Sequence, residues 1–194
     1  MKKIILIAVV LMAAFASSIP VNGQSLKENI KKDAKKVEKE AKKLERKLKE
    51  ELQFKEAEQA LKEQAFVLEA DRVIFKRGRS VFVTSNTNFV SLVDGRATVQ
   101  TAFNGPYPGP NGMGGVTVDG QASNIQMSKD KKGNINFSMQ IIGLGISAQV
   151  NIQLYHGSNS ASVTVSPSFN SNRITLNGVL LPVDQSNVFK GRSL

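Results

Sequence analysis

The sequence contains no cysteine and no tryptophan, and His156 is the only histidine among its 194 residues. Without cysteine there is no disulfide framework, no thiolate metal site and no cysteine nucleophile. A single histidine leaves almost nothing from which to build a Ser-His triad or a multi-histidine metal site. We therefore predict no catalytic residues, no metal site and no cofactor, and we interpret the protein as non-enzymatic.

Acidic side chains are also scarce after residue 65. The six are Glu69, Asp71, Asp94, Asp119, Asp130 and Asp184. Glu69 and Asp71 lie two apart on one predicted strand, a spacing that places both on one face, where a carboxylate pair can serve glycosidase chemistry. No aromatic-lined cleft is evident around them, so the pair leaves the interpretation unchanged. His156 stands in a Tyr-His-Gly-Ser-Asn turn pattern and is predicted to be an exposed turn residue.

The N-terminus has the layout of a bacterial secretory signal peptide. Met1-Lys2-Lys3 supplies the positive start, and an uncharged apolar run follows over residues 4–16. This run is shorter than the roughly 20 residues of a transmembrane helix. Cleavage fits after Ala16 or after Gly23, and we favour the later site, which gives a signal peptide over residues 1–23. We expect an exported protein, either periplasmic, associated with the outer envelope or secreted.

The stretch after the signal predicts one long charged helix over residues 24–64. Residues 25–64 hold 13 Lys or Arg and 10 Asp or Glu, with no Gly and no Pro. Ser25 and Glu28 form a capping-box pattern, which marks a helix start. Five Glu-to-Lys pairs have the favourable spacing of four residues. They are Glu28/Lys32, Glu38/Lys42, Glu45/Lys49, Glu51/Lys55 and Glu58/Lys62.

A narrow apolar stripe follows this helix. Its members are Leu26, Ile30, Ala34, Val37, Ala41, Leu44, Leu48 and Leu52. Several pairs lie eleven residues apart, a period of about 3.67 residues per turn that favours a straight or slightly right-handed seam. Two interpretations stay open. The helix either forms a weak homo-oligomer as a coiled coil, or it is a solvated spacer that holds the following domain off a surface.

From residue 65 to residue 194 apolar and polar residues alternate, which is typical of half-buried antiparallel strands. Turn signals such as Asp94-Gly95 and Lys131-Lys132-Gly133-Asn134 separate the runs. The predicted strands lie near residues 66–75, 80–84, 88–93, 96–103, 115–127, 134–142, 145–155 and 160–166, with a ninth at 173–181. We predict a mainly β domain, an antiparallel meander forming a sandwich or an open lipocalin-like barrel.

The net charge of +10 is spread over three segments. The signal carries two of these charges, the helix three, and residues 65–194 five. The densest cluster is Lys76-Arg77-Gly78-Arg79, with Lys190 and Arg192 near the end of the sequence. Nucleic-acid-binding proteins concentrate such charge on one face and add stacking aromatics, which are few here. We predict no nucleic-acid partner, and an anionic envelope surface suits a basic patch better.

Two further features have no assigned role. Residues 104–115 contain five Gly and three Pro, and such a loop is either functional or a family-specific connection. The positions between the apolar residues of the central strands carry amides and hydroxyls without a charge. They are Asn136, Ser138, Gln140, Ser147, Gln149, Asn151, Gln153, Ser162 and Thr164. This neutral face either contacts glycans or another protein, or is simply solvated.

Four segments carry a resemblance to a known family. They are residues 66–72, 78–80, 103–107 and 173–178. Together they resemble the bacterial domain-of-unknown-function family 4251, which occurs in exported proteins of gut-type Gram-negative bacteria. The resemblance covers residues 65–190 and the preceding signal-plus-charged-linker layout. It implies a small exported β domain without an assigned activity, and it transfers no catalytic or binding residues.

We expect a structural or interaction role in the periplasm or cell envelope, with an unknown protein or envelope partner. The alternative is a lipocalin-like carrier of a small apolar ligand, because a small closed barrel can hold one. A filled core and a mass above that of the monomer would favour the first. An enclosed apolar cavity of about 300 Å³ or more would favour the second. The sequence identifies neither the ligand-binding residues nor the partner.

Overall fold

The computed structural model describes residues 23–103, 110, 112, 114–143, 146–168 and 172–191, with side chains from residue 31 onward except that of Ile146. The predicted signal peptide therefore lies outside the described residues, apart from Gly23. One helix, α1, spans Gly23–Glu63, close to the predicted range of 24–64. It ends where Gln64 adopts a positive φ of 56° and the amide of Ala65 donates to the carbonyl of Ala60.

In the described residues nine strands follow the helix, as the alternation predicted. They are β1 Phe66–Phe75, β2 Ser80–Phe82, β3 Phe89–Val93, β4 Arg96–Thr101, β5 Val116–Lys129, β6 Ile135–Gly143, β7 Ile146–Leu154, β8 Ser160–Pro167 and β9 Ile174–Pro182. The predicted turns at Asp94-Gly95 and at residues 131–134 connect strands in the structure. Asp94 and Gly95 both have positive φ, as a type I′ hairpin turn requires.

The strands close into a barrel. Neighbours pair in an antiparallel manner in the order β2-β1-β3-β4-β5-β6-β7-β8-β9, and β9 pairs back with β1. Phe66 lies opposite Pro182 and Phe75 opposite Ile174. Eight strands, β1 and β3 to β9, form the ring, and β2 is an added strand on the far half of β1. Of the two predicted arrangements, a sandwich or an open lipocalin-like barrel, the lipocalin-like barrel is confirmed. It is closed rather than open, because the first and last strands satisfy each other's edges.

The barrel interior is lined with apolar side chains from every second position. On β6 and β7 these are Ile135, Phe137, Met139, Ile141, Ala148, Val150, Ile152 and Leu154, all buried. In β1 the buried positions switch from Phe66, Leu68 and Ala70 to Val73. A bulge between Ala70 and Arg72 causes this switch, because one extra residue reverses which side chains point inward.

The last turns of α1 cover one end of the barrel, which we call the helix end. Phe54, Ala57, Ala60 and Leu61 are at most 4% exposed and belong to the same hydrophobic core as the barrel interior. Their spacing of three and four residues places them on one helix face. At this end the ring of Phe54 meets the ring of His156, which lies in the turn between β7 and β8.

The chain consists of two compact units, residues up to Arg46 and residues from Lys47 onward. In the first unit Lys42 forms an ion pair of 2.8 Å with Glu38. In the second, Lys55 pairs with Glu51 and Lys62 with Glu58, as the spacing predicted. Among the stripe residues whose side chains are described, the larger ones face solvent: Val37, Leu44, Leu48 and Leu52 are 56–60% exposed.

The segment after β9 is fastened to the outside of the barrel by Gln100, which is fully buried. Its Nε2 donates to the carbonyls of Thr87 (3.0 Å) and Phe189 (2.7 Å). Its Oε1 accepts from the hydroxyl of Thr117 (2.8 Å) and the amide of Gly191 (2.7 Å). All the bonding capacity of this amide is therefore used, and it fixes residues 189–191 in place.

Candidate functional site

A cleft of about 750 Å³ lies at the end of the barrel opposite the helix, which we call the cleft end. Here β1 and β4 finish and β9 begins, because antiparallel pairing brings Phe75 opposite Ile174. The residues lining the cleft are Phe75, Arg79, Val81, Phe82, Val83, Thr84, Thr87, Ala102 and Phe103. The cleft is open to solvent, unlike the enclosed cavity that the carrier hypothesis anticipated.

The floor of this cleft is apolar and joins the core. Phe75, Val81, Val83 and Phe103 are partly buried and pack against the core cluster. The rings of Phe75 and Phe103 lie 5.6 Å apart at an angle of 41°. Phe82 stands at the edge with 84% of its side chain exposed. An exposed aromatic ring beside an apolar floor is a surface that an apolar ligand would cover.

A basic hairpin turn forms one side of the cleft. In Lys76-Arg77-Gly78-Arg79, Gly78 adopts φ +81°, a conformation that glycine reaches without steric cost. The amide of Gly78 donates to the carbonyl of Phe75, and the amide of Phe75 donates to the carbonyl of Arg79, both at 2.8 Å. The most basic cluster of the sequence is thereby held at the cleft end.

A second cleft of about 830 Å³ adjoins the first and shares Phe75 and Arg79 with it. Its lining is Phe75, Lys76, Arg77, Arg79, Asn172, Arg173 and Ile174. The guanidinium of Arg79 lies 6.0 Å from the ring centre of Phe75, and that of Arg72 lies 5.5 Å from that of Phe82. Cation–π contact of this kind keeps the positive charges close to the apolar floor.

The glycine-rich loop over residues 104–115 lies largely outside the described residues, and so does Tyr107. The described end of this loop shows why Gly114 and Gly115 are both glycine. A Cβ on Gly114 would collide with the carbonyl of Phe103, and one on Gly115 with the carbonyl of Thr101. The chain thus requires glycine here for close backbone approach. A functional role for the loop stays a prediction.

Part of the neutral outer face that the sequence indicated forms a third concave surface, of about 490 Å³. It lies where β5 to β8 run side by side, next to the bulge between Ser123 and Gln126. Its lining includes Gln126, Ser128, Asn136, Ser138, Asn151, Gln153, Ser162 and Thr164. Amides and hydroxyls dominate this lining, and no stacking aromatic accompanies them on the outer side.

Glu69 and Asp71, which the sequence placed two apart on one strand, flank the buried Ala70 of β1, next to the bulge between Ala70 and Arg72. Glu69 accepts hydrogen bonds from the Ser186 hydroxyl at 2.7 Å and the Asn187 amide at 3.4 Å. This carboxylate fastens the segment after β9.

His156 is an exposed turn residue, as predicted, and it also contacts the helix. Its ring centre lies 5.1 Å from that of Phe54, edge to face at 87°. Its backbone amide donates to Asn134 Oδ1 at 3.0 Å. Within the described ranges, no group of three or more His, Cys, Asp or Glu side chains is arranged to hold a metal ion.

Two carboxylates at the helix end are held in the ionised form. The hydrogen bond from Lys62 lowers the pKa of Glu58, and the charge of Lys129, whose Nζ lies 3.6 Å away, adds to this effect. The Asn134 side chain and two backbone amides hydrogen-bond to Asp130 and lower its pKa. Both groups stabilise the junction of helix and turns, remote from the cleft.

The family model described as Domain of unknown function (DUF4251) matches residues 48–180. The chain belongs to the DUF4251 family. The predicted resemblance is therefore confirmed, and the matched region begins in the part of α1 that covers the barrel. A crystal structure of a DUF4251 family protein from Bacteroides eggerthii is similar to it, with 57% sequence identity and a TM-score of 0.65. The similarity covers 76% of this chain and 99% of that one.

No curated protein matches this DUF4251 chain. In the part of the chain that the structure describes, no helix is both long and apolar enough to cross a membrane.

The basic cluster was predicted from the sequence, whereas the cleft and the buried face of α1 were not. Phe54, Ala57 and Leu61 have helical spacing, and their shared face is visible in the sequence as apolar residues that lie off the main stripe. The cleft is not visible in the sequence, because its floor joins Phe75, Val83 and Phe103 from separate parts of the sheet.

Proposed function

We propose that this chain is an exported, non-enzymatic binding protein of the periplasm or cell envelope, and that it holds a small apolar ligand at the cleft end. The observation that supports this most is the difference between the two barrel ends. Four buried side chains of α1 cover one end, whereas the other presents a cleft of about 750 Å³ with an apolar floor. Small-molecule sites commonly measure about 300–1,000 Å³.

The chemistry of the cleft favours binding over catalysis. Neither a carboxylate nor a histidine occurs among the described residues that line it. Its polar side chains are those of Arg79, Thr84 and Thr87, which can orient a ligand but offer no obvious acid–base pair. Export is supported by the signal-peptide pattern over residues 1–23, which a mature protein beginning at Gln24 would lack.

The test uses the mature chain from Gln24 and the neutral dye N-phenyl-1-naphthylamine, whose fluorescence rises in an apolar site. We expect saturable binding that Phe82→Ala weakens about ten-fold, because the ring would be covered by the ligand. Phe189→Ala is the matched control, since Phe189 is also exposed, at 62%, and does not line the cleft. No saturable binding, or equal loss in both variants, would contradict the proposal.

A structural role through the helix is a second candidate, because the larger described members of the apolar stripe are exposed. Val37, Leu44, Leu48 and Leu52 are more than half exposed along one face of α1. Pairing with a second copy of the helix would bury them. Native mass spectrometry of the mature protein tests this candidate and reports a retained ligand in the same spectrum. This candidate is excluded if the protein is a monomer and Leu44→Lys changes neither its mass nor its elution volume.

A further inference from the structure

Four exposed cations gather at the cleft end: Lys76, Arg77, Arg79 and Arg173. The first three belong to the turn after β1, and Arg173 precedes β9, which is the neighbour of β1 in the barrel. Within the described part of the chain, none of the four forms an ion pair with a carboxylate. Neither cleft is lined by a described acidic residue. Like charges this close repel each other, and a bound anion would relieve that repulsion.

The apolar floor and the cations meet at Phe75 and Arg79. Both residues line both clefts. On one side of them lie Val81, Val83 and Phe103, and on the other lie the remaining cations. A ligand that spans this boundary has an apolar part against the floor and a negative part against the guanidinium groups.

From this juxtaposition we infer that the ligand is a single-chain amphiphile with an anionic head group, a carboxylate or a phosphate. This inference rests on the binding role proposed above. The chain would cover Phe75, Val83 and Phe103, and the head group would accept hydrogen bonds from Arg79 and Arg173. Arginine suits this role because its planar donors match both head groups in a bidentate manner.

The turn that carries the cations is built to keep its shape. Two backbone hydrogen bonds of 2.8 Å close it between Phe75 and Arg79, and Gly78 supplies the left-handed residue that the turn needs. Because the turn is held in advance, a ligand does not have to order it on binding. Phe75 and Arg79, which close the turn, also line both clefts.

The experiment compares laurate with its neutral glycerol ester, 1-monolaurin, below their aggregation concentrations by displacement of the dye. Both have the same chain, so a difference reports the head group. We expect laurate to bind about ten-fold more tightly, as loss of a charge-assisted hydrogen bond implies. Arg79→Gln and Arg173→Gln should each weaken laurate binding more than 1-monolaurin binding and so remove most of this preference. High salt should weaken laurate alone.

Arg96→Gln is the matched control, because Arg96 is an exposed arginine that lines neither cleft. Dodecyl phosphate and inorganic phosphate are tested in the same displacement assay. Inorganic phosphate, which has no alkyl chain, should compete only weakly. Equal affinity for laurate and 1-monolaurin would overturn the inference and leave the proposed function intact. A preference that Arg96→Gln reduces as much as Arg79→Gln would also overturn it. If neither the dye nor any of the amphiphiles binds, the proposed function fails as well.

Discussion

The ring of Phe54 in α1 meets the ring of His156 edge to face, with centroids 5.1 Å apart. Lys129 also stands over this phenyl ring, with its Nζ 5.6 Å from the centroid. Phe54 is only 4% exposed and belongs to the same hydrophobic core as the barrel interior. This one residue therefore joins the helix to the end of β5 and to the turn between β7 and β8.

Phe54→Ala should lower the free energy of unfolding by about 3–5 kcal/mol, the usual result of removing a buried phenylalanine. Leu52→Ala, at a position 57% exposed on the same helix, should change it by less than about 0.5 kcal/mol. Urea unfolding followed by far-UV circular dichroism measures both. Equal effects of the two variants would show that the helix contributes no core.

Gln100→Leu should release the segment after β9. The substitution removes four hydrogen bonds, and it leaves the hydroxyl of Thr117 buried without this partner. A loss of about 2–4 kcal/mol in stability follows from removing these four hydrogen bonds around a buried side chain. Hydrogen exchange of the amides at residues 189–191 should accelerate in this variant. Gln149→Leu, on the exposed outer face of β7, is the control and should leave their exchange unchanged.

Acid should weaken the contact between α1 and the barrel through Glu58. Its pKa in the folded state lies below the ordinary glutamate value, chiefly because of the Lys62 hydrogen bond. The stability it contributes is present above the ordinary pKa and is lost as the pH falls through the lowered one. Urea midpoints measured from neutral to acidic pH should therefore fall less steeply in Glu58→Gln. Parallel pH profiles for the two proteins would contradict this assignment, since Asp130 is common to both.

Gly178→Ala should impair closure of the barrel. Gly178 in β9 lies opposite Ala70 of β1, and a Cβ there would collide with the carbonyl oxygen of Glu69. We expect a loss of about 1–3 kcal/mol or more, because the seam must open to admit the methyl group. Asn177→Ala is the control, since its Oδ1 accepts no hydrogen bond from the described part of the chain. A Gly178→Ala protein as stable as Asn177→Ala would show that the seam tolerates this crowding.

Much of the fold follows from local pattern. Residues 146–154 alternate without interruption, and the structure makes them β7. The long helix follows from charge spacing and the absence of Gly and Pro. These features depend on neighbours within a few residues, which a sequence displays directly.

Closure and the site depend on distant residues instead. Pairing of β1 with β9 brings together residues more than one hundred positions apart, such as Phe66 and Pro182. The cleft joins Phe75 to Phe103, and the buried Gln100 is explained only by Phe189 and Gly191, near the end of the chain. A polar residue within a strand otherwise looks like a solvent-facing one. Burial of Phe54 was likewise not predicted, because Phe54 lies off the predicted apolar stripe, on the helix face that packs into the core.

The ring of strands is completed only by its last member. Until Ile174–Pro182 arrives, β1 and β8 each present an unpaired edge, and no shorter length of chain removes both. A chain that is still emerging therefore has no closed form to adopt, whatever its inner strands have paired. Such late, long-range pairing slows folding and lengthens the time during which edges can meet those of other chains. Under the export proposed above, this delay is an advantage, because a chain without a closed form stays extended.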